Sequence, residues 1–120
     1  MTIMPPIPNK LWIGEYEFDL VAVPPNHSAL EKNDGMTYFH EGKRAIYICD
    51  SIELRRFFNV VWHEVTHAVN WDQGIEDGTK EEAISEAHGK IWTQVLLDNP
   101  KFHSWINKVI KQIRNERKNA

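Results

Sequence analysis

Two histidines four residues apart with a glutamate beside the first, His63-Glu64-Val65-Thr66-His67, constrain this chain more than any other stretch. Residues four apart stack on one face of an α-helix. The pattern therefore predicts a helix on which His63 and His67 offer two imidazole nitrogens to one metal ion. Glu64 lies beside the first ligand, where its carboxylate can take a proton from a water held by that metal. These are the residue types of a zinc site carrying its own general base. Chance assembles such a motif in roughly a few chains per thousand of this length. The plain alternative is a solvated helix face with two histidines, so the context has to carry the case.

The context begins with what 120 residues can build: one domain over 1–120 with a single core. No apolar run approaches the length that crosses a bilayer, so no membrane contact is expected. The start, Met1-Thr2-Ile3-Met4-Pro5-Pro6, has neither the basic stretch nor the apolar stretch of a secretion signal. The single Cys49 cannot make an internal disulfide, which fits a reducing cytoplasm. It also rules out a cysteine-rich zinc site, so a metal here must use histidine and carboxylate. Charge is uneven. Residues 101–120 carry six Lys or Arg against Glu116 alone, a net +5 within a chain whose total is −3. Such a helix can touch nucleic acid or an acidic partner, and it can equally be a solvated face whose cations suit the helix dipole.

Along the chain, Pro5, Pro6 and Pro8 predict an extended lead-in. Tyr16 to Val23 alternates as a strand does and stops at Pro24-Pro25. Asn26 to Gly35 reads as a loop with room for a short helical turn. Met36 to Phe39 and Arg44 to Cys49 read as a hairpin around Glu41-Gly42, the second strand being the more central. Asp50 is the expected cap of the motif helix, with Glu53 returning the bond, and Leu54, Phe58, Val61, Val65 and Ala68 its buried stripe. Gly74 should end it. Thr79 is placed to cap a second helix running to about Leu97. A third follows, with Phe102, Trp105, Ile106, Val109, Ile110 and Ile113 inward. The expected class is α+β: a small N-terminal sheet, antiparallel or mixed, followed by three helices. Trp12, Trp92 and Trp105 read as core, while Trp62 and Trp71 flank the motif and either pack or wall the cleft.

Two histidines leave a tetrahedral zinc short of one protein ligand if the fourth position is kept for water. Glu81, Glu82 and Glu86 on the second helix and Asp72, Glu76 and Asp77 before it are the downstream carboxylates. The run Glu82-Ala83-Ile84-Ser85-Glu86 resembles the third-ligand helix of thermolysin-type gluzincin peptidases, in which an acidic ligand precedes Ala-Ile-Ser and a second acid. In size and layout the chain is similar to the minimal zincins of phages and prophages, the neighbourhood of ImmA/IrrE and SprT-like proteins. The resemblance covers roughly residues 36–97. It implies a minimal zincin-like fold and one zinc ion held by His63, His67 and Glu82, with Glu64 as base. Glu86 would then accept the spare N–H of a ligand histidine. Thr79-Lys80-Glu81-Glu82 also fits a capping box, which would occupy Glu82 and leave Glu86 as the ligand.

What the resemblance implies is a cytoplasmic zinc metallopeptidase that binds an extended peptide along an edge strand at Met36 to Phe39. The histidine that steadies the oxyanion in thermolysin has no counterpart here. Tyr38, His40 and His103 are the candidates for that role or for substrate contact. The alternative is a non-catalytic module of the same shape that binds a protein partner or DNA through the basic last helix.

Overall fold

Eight residues of alternating pattern, Tyr16–Val23, form β2, the strand around which the sheet of this computed structural model is built. The structure describes residues 6–40, 42–75 and 81–119, without the side chains of residues 81–83, 85, 86, 89 and 90. A short strand β1, Lys10–Ile13, precedes β2 and pairs with it antiparallel. A single 3₁₀ turn at Ser28–Leu30 leads into β3, Gly35–His40, which pairs antiparallel with β4, Lys43–Cys49. β4 lies parallel to β2, giving the order β1-β2-β4-β3 with β3 at an edge. The sheet is therefore mixed, and the class is α+β.

Helix α1 spans Leu54–Asp72, α2 Glu81–Asp98 and α3 Pro100–Lys118. All three cover the face of the sheet that carries Leu11, Ile13, Phe18, Leu20, Ile46 and Ile48. That core takes Phe57, Val61, Val65 and Val69 from α1, Ile91 and Val95 from α2, and Phe102, Trp105 and Val109 from α3. On the other face Val23, Leu30 and Cys49 make a small separate cluster. Among the described residues no helix is long and apolar enough to cross a membrane.

Several expectations need correction. β1 lies where only a lead-in is expected, its pattern of exposed and buried residues confined to four positions. α1 starts at Leu54, after an N-cap Glu53 that makes no side-chain capping bond. The Asp50 carboxylate instead accepts from the Ser51 hydroxyl at 2.9 Å. Phe57, not Phe58, occupies the buried stripe. Trp12 is 43% exposed rather than core. Trp92 is half-buried and packs on Trp62, their ring centroids 4.4 Å apart. The end of α1 is as expected. Gly74 takes φ +65°, and its N–H bonds to the Trp71 carbonyl while that of Ile75 bonds to Asn70. This paired closure needs a left-handed residue, which glycine supplies without strain. The expected cap Thr79 lies outside the described residues.

Candidate metal centre and its cleft

α1 buries Phe57, Val61, Val65 and Ala68 against the sheet, and that phase leaves His63 and His67 exposed. Their Nε2 atoms converge to 3.1 Å. Two tetrahedral ligand nitrogens at ordinary zinc distances stand roughly 3.3 Å apart. Ring nitrogens this close can either share one hydrogen or turn both lone pairs on one cation, and their spacing is compatible with a zinc ion.

Glu64 turns the other way, toward β3, and is 6% exposed. Its Oε1 lies 2.8 Å from the Thr37 hydroxyl, which is also 3.0 Å from the Glu64 carbonyl. Oε2 lies 4.0 Å from His63 Nε2. One carboxylate oxygen is thus anchored on Thr37, and the other is left on the side of His63. Among the described residues no buried side-chain nitrogen or oxygen lacks a partner.

Between β3 and α1 runs a cleft of about 670 Å³. Gly35, Thr37 and Phe39 form its strand wall, and Val60, His63, Glu64 and His67 its helix wall. Asp34 and Arg56 stand at one end, where Nε and Nη2 of the arginine lie 3.1 and 2.8 Å from Asp34 Oδ2. At the other, Phe39 stacks on Trp71 with centroids 5.7 Å apart, and Trp71 meets Tyr16 at 4.8 Å.

Among the described residues no strand pairs with the outer side of this wall. Cys49 N–H bonds to the Asp34 carbonyl, while Asp50 N–H bonds to Val23 on the opposite side of β4. Alternation then directs the backbone groups of Met36, Tyr38 and His40 to β4. Those of Gly35, Thr37 and Phe39 point away from β4, along the outer edge of the strand that lines the cleft.

Alternation also sorts the side chains. Tyr38 and His40 lie on the sheet face away from α1. The Tyr38 hydroxyl donates to the Ala29 carbonyl at 2.6 Å, and its ring meets Tyr47 and His40. Partial burial, then the nearby Glu31 carboxylate, raise the Tyr38 pKa above the usual phenol range. Neither residue lines the cleft, nor does His103, which is exposed on α3. Tyr38, His40 and His103 are therefore not brought to the histidine pair.

α2 runs antiparallel to α1, with Trp92 against Trp62 and His88 Nε2 2.6 Å from Asn70 Oδ1. Trp92 Nε1 donates to His88 Nδ1 at 3.1 Å, so the His88 proton sits on Nε2 and bonds to Asn70. Glu82 and Glu86 occupy the first two turns of α2. Their side chains lie outside the described part. Among the described residues no group of three or more His, Cys, Asp or Glu comes together to hold a metal.

Sequence reasoning found the pair and its carboxylate and missed Thr37 and Gly35. A glycine entering an edge strand is a signal of close backbone approach, but nothing local marks Thr37, which meets Glu64 across 27 residues. In comparison with known proteins, no family model, curated protein or solved structure matches this chain.

Proposed function

We propose that this chain is a zinc-dependent hydrolase that cleaves peptide bonds. The observation that carries the reading is the convergence of the His63 and His67 nitrogens beside a buried carboxylate, in a cleft walled by the outer edge of β3. His63 and His67 would hold the ion. Glu82 is the proposed third ligand, with Glu86 beside it, on the resemblance to gluzincin peptidases. Bound zinc supplies a Lewis acid that polarises a carbonyl and acidifies water.

The chain's own residues do the rest. Gly35, Thr37 and Phe39 pair an extended peptide backbone along the edge of β3. This holds the scissile carbonyl against the helix wall. Glu64 takes the proton of the attacking water on its free oxygen and returns it to the leaving amine. Its burial keeps that carboxylate out of bulk water, where competing hydrogen bonds would disperse it.

Elemental analysis of protein purified without added zinc tests the first step. About one zinc per chain, lost in His63→Ala, is expected. Glu64→Gln should keep the zinc and lose hydrolysis of fluorescein-labelled casein. No metal taken up at neutral pH, or full activity in Glu64→Gln, would sink the reading. Zinc affinity of Glu82→Gln and Glu86→Gln assigns the third ligand.

One observation favours a second reading. Lys101, Lys108, Lys111 and Arg114 are all exposed on α3, outside its buried stripe of Phe102, Trp105, Ile106 and Val109. A non-catalytic module binding nucleic acid there would show salt-dependent DNA binding, lost on neutralising Lys108, Lys111 and Arg114.

A further inference from the structure

We propose that Thr37 is a positioning residue that ties the general base to the strand on which peptide docks. The inference rests on the hydrolase reading and extends it to how base and substrate are aligned.

Glu64 has three side-chain torsions, and burial alone does not choose among them. Thr37 Oγ1, 2.8 Å from Oε1, does. The hydroxyl has one proton and two acceptors within reach, the carboxylate and the Glu64 carbonyl at 3.0 Å. That carbonyl already serves the helix ladder, and the carboxylate oxygen is the nearer of the two acceptors. The proton therefore goes to the carboxylate. This pins Oε1 and leaves Oε2 on the side of His63, at 4.0 Å.

Two features hold the donor itself still. Threonine is β-branched, so its first torsion is restricted. Gly35, two residues earlier, lets β3 sit close to the helix, because a methyl group there would stand 2.9 Å from Glu64 Cγ. Thr37 also has its backbone N–H and C=O on the outer edge of β3. A peptide paired with β3 therefore grips the same residue whose hydroxyl orients the base, and docking and base alignment share one rigid element.

The test uses Thr37→Val, which keeps the β-branched shape and removes the hydroxyl, beside Thr37→Ser, which keeps the hydroxyl. With zinc-loaded protein and fluorescein-labelled casein, kcat of Thr37→Val should fall about ten- to a hundredfold. KM should stay within about twofold, and Thr37→Ser, which keeps the donor and gives up only the restricted torsion, should recover most of the rate. Unchanged kcat in Thr37→Val, or a loss that Thr37→Ser shares, overturns the proposal. A second readout needs neither metal nor turnover. In the metal-free protein, Thr37→Val should lower the melting temperature less in a Glu64→Ala background than alone. Equal losses in both backgrounds show that no tether exists. If zinc-loaded protein cleaves nothing while the two losses remain unequal, the hydrolase reading fails and the tether stands.

Discussion

Gly35 lies so close to Val60 that a methyl group in place of its hydrogen would stand 2.6 Å from Val60 Cγ1. The edge strand rests on the helix at that point, and the same approach sets the distance between Thr37 and Glu64. Gly35→Ala must push β3 and α1 apart, and overpacking of this kind costs about 1–3 kcal/mol. Chemical denaturation should show that loss. Adding Val60→Ala, which clears the nearest atom, should return part of it. A Gly35→Ala protein as stable as wild type would mean that the wall yields and the approach carries no constraint.

At the opposite edge of the sheet, Asn99 takes the place of a fifth strand. Its Oδ1 accepts from Trp12 N–H at 2.8 Å, and its Nδ2 donates to the Trp12 carbonyl at 2.9 Å and to Val95 at 2.8 Å. Asn99 is 7% exposed. Asn99→Ala leaves the Trp12 N–H and C=O without these partners, a loss of about 2–4 kcal/mol. Asn99→Asp should be worse, since a carboxylate would face two carbonyl oxygens. Urea unfolding of the two variants checks this ranking, and the reverse order would show that the amide protons are not what closes the edge.

These two contacts mark the limit of what the sequence discloses. β2 is legible to the residue because alternation and Pro24 are local signals. The histidine pair is legible because four-residue spacing is a local property of a helix. β1 escapes notice because four residues behind a run of prolines offer only two buried positions, Leu11 and Ile13. The cap of α1 is misplaced by three residues because a capping pattern shows that Asp50 can bond back, not that Ser51 will take its carboxylate. Trp12 is misassigned because residue type predicts burial, whereas strand phase decides it. Thr37–Glu64 and Asn99–Trp12 join residues 27 and 87 positions apart. Only the packed fold creates them.

Tyr38 predicts an alkaline limit to stability. Partial burial and the Glu31 carboxylate raise its pKa in the folded protein above the ordinary value of about 10. The folded state then holds this proton more tightly than the unfolded chain. The stability so gained is complete below the unfolded value and disappears as pH rises through the folded one. Tyr38→Phe should therefore unfold with a shallower loss of stability above about pH 10. At neutral pH it should be weaker by about 1 kcal/mol, for the lost bond to Ala29. Unfolding curves taken from neutral to strongly alkaline pH test both signs, and identical alkaline slopes would remove Tyr38 as the cause.

His63 separates a metal effect from a packing effect, because its side chain is 68% exposed. Truncating an exposed side chain away from the core changes stability by no more than about 0.5 kcal/mol. In metal-free protein, His63→Ala should therefore melt close to wild type. Zinc bound only to the folded state stabilises it by about 4 kcal/mol at a thousandfold excess over Kd. The wild-type melting temperature should rise with zinc and fall back on adding EDTA, whereas that of His63→Ala should stay where it was. Glu64→Gln, which keeps both imidazoles, should rise with zinc as wild type does. An equal rise in His63→Ala would place the ion at other ligands and detach Glu64 from its proposed work.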